Sequence, residues 1–203
     1  MREVFSQIYH QNLWGDPESS SGPGSGVART AAFRNELSSL LRQIRARSLI
    51  DAACGDFNWM KETVLDLEHY TGVDVVPEIV AENRRMYGNS GRSFLELDIA
   101  SEVLPKVDVI LCRDCLVHFS FEDASNAIRN FKRSGSIYLL TTTFIRFPAN
   151  VDIRTGDWRQ INLEIAPFNF PKPVALIDEK CTHTGGIYAD KQLALWRLDA
   201  IEI

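Results

Sequence analysis

Three acids, Asp51, Asp74 and Asp98, each close a short apolar run, and Arg113-Asp114 follows a fourth. Carboxylates accept hydrogen bonds from hydroxyls and amines, so a set at matching strand ends suits the grip of a nucleoside. Asp74 stands 19 residues past Gly55, close to the roughly 20-residue spacing at which an acid meets ribose hydroxyls. Asp98, one strand further on, is placed to hold the exocyclic amine of an adenine. His118 follows the fourth run, and imidazole titrates near neutrality, so it is the candidate general base. Each acid alone has a plainer account as a turn or helix cap, and His118 as a histidine packed at a helix start beside Ser120. Three acids in register after a small-residue turn favour the ligand reading.

The elements that must position these residues follow from the pattern. Ser48-Leu49-Ile50-Asp51 reads as a buried strand that runs into the small residues Ala52-Ala53-Cys54-Gly55. Such a turn lets a ligand approach the main chain. A long amphipathic helix is predicted from Val27 to about Arg47, and another from Phe57 to about Leu67. Strand 2 is predicted over 70–75, and Pro77 opens a helix that Gly88 ends after Tyr87. Strands are predicted over 93–97 and 107–112. Ser120 with Asp123 caps a helix to about Arg133, and a strand over 136–143 follows. Two strands, 174–177 and 192–198, close the chain. The pattern predicts an α/β, doubly wound, seven-stranded sheet, mostly parallel with an antiparallel C-terminal pair. Residues 27–203 are read as one domain. Residues 1–26, with Phe5, Tyr9, Trp14 and then a Gly/Ser-rich stretch, are either a flexible leader or a hinged lid. Residues 145–172 show no period yet carry Phe147, Trp158, Phe168 and Phe170, which marks a functional loop or a hidden helix.

At 203 residues the chain has room for one well-buried core. The net charge of -5 argues against a nucleic-acid partner, which asks for a basic face. No run reaches the roughly 18 apolar residues of a membrane span, and Met1–Ser6 lacks a basic leader before an apolar core, so neither membrane nor secretion is expected. Four cysteines without a disulfide framework suit a reducing cytoplasm. Cys112-Arg113-Asp114-Cys115 with Cys181-Thr182-His183 offers a zinc reading, but the second half has the wrong spacing, so no metal is expected.

On these residues the chain resembles the class I S-adenosylmethionine-dependent methyltransferases. The family's first motif, an acid, a small residue and Gly-Cys-Gly-x-Gly, lies over Asp51-Ala52-Ala53-Cys54-Gly55-Asp56-Phe57. Asp51, Cys54 and Gly55 match; Ala53 and Phe57 stand where glycines are usual. Asp74 and Asp98 match the acids after strands 2 and 3. The block from Asp108 to Ser120 looks like the fourth motif of the small-molecule branch and lacks an Asn/Asp-Pro-Pro-Tyr/Phe signature. The resemblance implies S-adenosylmethionine as methyl donor and S-adenosylhomocysteine as product. It implies Asp51, Ala53, Cys54 and Gly55 at the methionine end, Asp74 at the ribose, Val75 on the adenine face, and Asp98 with Ile99 at its edge. Arg113 and Asp114 then touch cofactor or substrate. His118 is the candidate base, with Asp114 beside it, and Trp158 is the candidate wall of the acceptor pocket.

The expected reaction is methyl transfer to a small polar molecule, at oxygen in preference to nitrogen, by a monomer or homodimer. Two alternatives stay open. A basic face from Arg84, Arg85, Arg92 and Lys132 would favour RNA or protein as acceptor. Loss of the turn through Ala53 and Phe57 would leave a non-catalytic binding subunit.

Overall fold

The computed structural model describes residues 1–181 and 183–203. The elements are α1 (Arg2–His10), α2 (Val27–Gln43), β1 (Ser48–Ala52), β2 (His69–Asp74), α3 (Pro77–Tyr87), β3 (Arg92–Glu96), β4 (Val109–Cys112), α4 (Phe121–Arg133), β5 (Tyr138–Phe144), β6 (Ala175–Asp178) and β7 (Lys191–Arg197). The fold is α/β, with a seven-stranded mixed sheet that is mostly parallel and ends in antiparallel C-terminal strands, as the pattern predicts. The chain divides into two compact units, Met1–Asp98 and Ile99–Ile203.

In the first unit β2 lies between β1 and β3, both parallel to it. Leu49 and Ile50 of β1 and Val73 of β2 are wholly buried, which is why this stretch reads as an apolar run without alternation. In the second unit the order is β4-β5-β7-β6, with β4 parallel to β5 and both other pairs antiparallel. Ser120 caps α4 as predicted, its hydroxyl accepting from the Asp123 N–H at 3.1 Å. Gly88 ends α3 by a different route than a left-handed cap. Its φ is -63°, and a Cβ there would lie 2.5 Å from the Arg84 carbonyl oxygen, so the close approach selects the glycine.

Two predicted features differ. The helix over 57–67 is absent; turns and a single 3-10 turn at Met60–Glu62 stand in its place. Phe57 has φ +59° and its ring is drawn into the core, so the chain leaves helical geometry at its first residue. The aromatic start of the chain forms α1, which composition alone gave no reason to expect. The segment 145–172 holds neither helix nor strand. Among the described residues no helix is long and apolar enough to cross a membrane.

Candidate active site

The first unit carries the turn after β1. Asp74 ends β2 in register with Glu96 of β3, and because the strands run parallel, Asp98 follows at the same edge. The Asp74 carboxylate accepts the Gly55 N–H and the Val76 N–H, each at 3.0 Å, and so ties the β1 turn to the end of β2. Burial raises its pKa, opposed by the main-chain N–H groups it accepts. Asp51 lies deeper, one residue before the end of β1, and takes the Tyr70 hydroxyl at 2.8 Å. Cys54 is buried, and burial followed by the charges of Asp74 and Asp51 pushes its thiol pKa well up, so it is no nucleophile. Ala53 and Val75 are half-buried beside these residues. Asp98 is half-buried, 3.9 Å from the terminal ammonium of Met1.

The turn keeps glycine-like backbone geometry despite its two departures from the usual glycines. Gly55 has φ +54°, and Phe57 holds φ +59°, the region a glycine would prefer. The Phe57 ring points into an aromatic cluster with Tyr70, Tyr87 and Phe94, at centroid distances of 5.3, 5.1 and 5.3 Å, and Arg92 lies over its face. The side chain is thus taken out of the turn. A Cβ on Gly55 would meet the Ser21 hydroxyl at 2.0 Å, so the N-terminal segment closes directly on this glycine.

That closure rests on residues the sequence reading did not single out. The Asp56 carboxylate accepts from the Ser19 hydroxyl at 3.0 and 2.9 Å and from the Ser20 N–H at 2.8 Å, while the Asp56 N–H donates to the Ser21 hydroxyl at 3.0 Å. Asn58 donates to Glu18 at 2.9 Å, and Glu18 accepts the first N–H of α2, that of Val27, at 2.7 Å. His10 at the end of α1 meets Glu78 at 3.0 Å. An Asp just after a glycine turn and three serines in a row were the available signal.

The second unit carries Ile99, Arg113, Asp114, His118 and Trp158. Ile99 is buried, its carbonyl accepting from Asn130 at 3.1 Å. Arg113 pairs with Glu179 at 2.8 Å and with Asp114 at 3.3 Å, and Lys191 pairs with both acids at 3.0 and 2.6 Å. Arg113 and Glu179 are almost fully buried, so the guanidinium is built into a four-residue ion network. Burial pushes the Asp114 pKa up, but Lys191 and then Arg113 outweigh it and hold the carboxyl well below the usual range. Asp114 therefore stays ionised. Glu179 and Lys191 are distant in sequence and were not legible as partners.

His118 ends a 3-10 turn, Leu116–His118, and its Nδ1 lies 2.9 Å from the Asp157 carbonyl oxygen. A carbonyl only accepts, so Nδ1 carries the proton and the basic lone pair is on Nε2. Burial lowers the pKa of this histidine, with Arg159 and Lys191 adding to the effect, and the imidazole is neutral at pH 7. Trp158 is 44% exposed and packs edge-on to Tyr188 at 5.2 Å and Phe144 at 6.3 Å. Among the described residues no group of three His, Cys, Asp or Glu is arranged to hold a metal. The zinc reading involves Thr182 and the side chain of His183, which lie outside what is described.

No curated protein sequence matches the chain. Residues 50–136 match the family model described as "Methyltransferase domain". Among solved structures, the chain is similar to 1,6-didemethyltoxoflavin-N1-methyltransferase of Burkholderia thailandensis with bound S-adenosylhomocysteine, at 16% identity and TM-score 0.62, over 97% of this chain and 86% of that one. It is similar to magnesium protoporphyrin IX methyltransferase (ChlM) of Synechocystis PCC 6803 with bound S-adenosylhomocysteine, at 14% identity and TM-score 0.58, over 97% of each chain. The methyltransferase domain of bacterial CtHen1-CN matches at 15% identity and TM-score 0.51, over 57% of this chain and 66% of that one. The chain thus spans just under two thirds of that relative. Identities this low speak to the fold, and the domain match over 50–136 covers the β1 turn, Asp74, Asp98 and His118 alike. Residues 50–136 thus match a methyltransferase domain, and the chain shares the fold of methyltransferases solved with S-adenosylhomocysteine bound.

Proposed function

We propose that the chain transfers a methyl group from S-adenosylmethionine to a hydroxyl oxygen of a small polar molecule, with His118 as general base. The observation that carries this reading is the His118–Asp157 contact, which fixes the tautomer with the basic nitrogen at Nε2, in an imidazole that burial keeps neutral. The bound sulfonium supplies an already activated methyl group. His118 Nε2 takes the acceptor's hydroxyl proton as the oxygen attacks, and Asp114, held ionised, steadies the imidazolium that forms. Asp74 binds the ribose hydroxyls, Val75 lies against the adenine, and Asp98 with Ile99 borders it. Asp51 and the main chain of Ala53, Cys54 and Gly55 face the methionine end. Arg113 acts through Asp114, and Trp158 walls the acceptor pocket with Tyr188. Residues 27–203 work as the methyltransferase domain, and 1–26 as its lid, latched through Asp56. The free cysteines support a cytoplasmic setting.

A nitrogen acceptor is the second reading, since the Burkholderia thailandensis relative is named an N1-methyltransferase. The same histidine would then take an amine proton. The test is transfer of labelled methyl from S-adenosylmethionine to a panel of paired hydroxyl and amine compounds. Methylation of the hydroxyl members, lost in His118→Ala, supports the first reading. Methylation confined to amines selects the second, and calorimetry without heat for either S-adenosylmethionine or S-adenosylhomocysteine removes both.

A further inference from the structure

Arg159 is a buried cation whose partners do not complete it. Its side chain is 6% exposed. Nη1 donates to the Leu116 carbonyl at 2.9 Å, but Nε and Nη2 are buried without a hydrogen-bond partner among the described residues. The guanidinium lies over the Phe121 ring at 5.2 Å, which offers its π face but no acceptor atom. The nearby acid Asp152 spends its Oδ1 on the main-chain N–H groups of Phe121 and Ile153, at 2.7 and 2.9 Å. Burial brings the Arg159 pKa down to about 10, so the group remains charged at neutral pH. A buried charge with two unmet donors is costly, and proteins retain one where something supplies the missing acceptor.

Its place says what that something does. The segment 155–159 is laced to the turn that carries His118. Gly156 N–H donates to the His118 carbonyl at 2.8 Å, Arg159 N–H to the Val117 carbonyl at 3.0 Å, and Ser120 N–H to the Thr155 hydroxyl at 2.9 Å. The two orphan donors, Nε and Nη2, belong to the edge of the guanidinium that matches a carboxylate by two parallel hydrogen bonds.

We propose that Arg159 is the receptor for a carboxylate on the methyl acceptor, so that the substrate is a hydroxy acid. This rests on the methyl-transfer reading above. The carboxylate docks on Nε and Nη2, and the acceptor hydroxyl is thereby oriented toward His118. Both donors are closed off from solvent, so the carboxylate reaches them only as the loop that carries Arg159 shifts.

The test uses the full chain saturated with S-adenosylhomocysteine, and 4-hydroxybenzoate and glycolate as probes against their neutral amides. Calorimetry gives affinities, and ¹⁵N-arginine spectra follow the Arg159 Nε–H. The acids are expected to bind at least tenfold more tightly than the amides and to move the Arg159 Nε–H resonance, which the amides leave in place. Arg159→Gln is expected to erase the acid preference and Arg159→Lys to keep part of it. Should Arg159→Gln fail to fold, the wild-type spectra and the acid–amide ratio decide alone. An Nε–H resonance unmoved by either acid, or equal affinities for acid and amide, overturns the proposal. Acids that bind through Arg159 yet accept no methyl group would uphold the anion site and count against the methyl-acceptor reading instead.

Discussion

His118 and Asp157 are joined through Nδ1 and a carbonyl oxygen at 2.9 Å, and that one contact decides which ring nitrogen is basic. Replacing a general base of this kind typically costs 10²–10⁴-fold, so His118→Ala is expected to lower kcat by about 100-fold or more. S-adenosylhomocysteine affinity should stay within about threefold of wild type, since imidazole makes no contribution to the cofactor half as proposed. Because burial depresses the pKa, kcat/KM should be level through neutral pH and fall only below about 6.5. The stability sign agrees. Between the folded value and the ordinary one the unfolded chain binds more protons, so stability from this group rises with pH there and is lost as pH falls through the window. A pH–rate profile centred above 7 would remove His118 from the reaction.

Asp74 holds the Gly55 N–H of the turn and the Val76 N–H just past β2, and is the proposed ribose acid. Asp74→Ala leaves both donors buried without an acceptor, which is expected to destabilise by about 2–4 kcal/mol and to weaken S-adenosylhomocysteine more than tenfold. Burial sets its pKa above the ordinary aspartate value, and protonation removes acceptor capacity. Cofactor affinity measured by calorimetry should therefore decline on acidification earlier than an unshifted aspartate would allow. Folding stability moves the other way, since a raised carboxyl pKa means stability from this group is lost as pH rises through the folded value.

Asp56 fastens Ser19, Ser20 and Ser21, and Ser21 in turn covers Gly55. If this is a latch, Asp56→Ala should loosen residues 18–26 without unfolding the sheet. Hydrogen exchange is expected to quicken there by roughly an order of magnitude, a loss comparable to a charge-assisted hydrogen bond or two. Release of S-adenosylhomocysteine should quicken with it. Unchanged exchange over 18–26 in the variant would show that the segment is held by other means.

The parts legible in the sequence were those set by local pattern. Buried runs such as Leu49-Ile50 and Val109–Leu111 announced strands because both faces are covered, and Ser120 announced the start of α4 because capping needs only nearby atoms. Asp74 and Asp98 could be placed at one edge because parallel strands fix which end is which. What escaped depends on contacts far apart in the chain. Arg113 looked available to a ligand until Glu179 and Lys191, 66 and 78 residues on, were seen to enclose it. The helix after β1 failed for the same reason. Tyr70, Tyr87 and Phe94 claim the Phe57 ring, and tertiary packing overrides propensity.

Phe57 allows the sharpest test of that last point. The family motif has glycine here, and φ +59° is a conformation glycine adopts at no cost and phenylalanine at roughly 1–2 kcal/mol. Phe57→Gly therefore relieves the backbone while removing a wholly buried ring, a loss of about 3–5 kcal/mol. The ring wins, and the motif-restoring variant is expected to be less stable by about 2 kcal/mol in urea unfolding. Phe57→Ala, which relieves less backbone strain and empties the same space, should fall further. If Phe57→Gly were instead the more stable protein, the cluster would be incidental and the left-handed turn the dominant feature of this site.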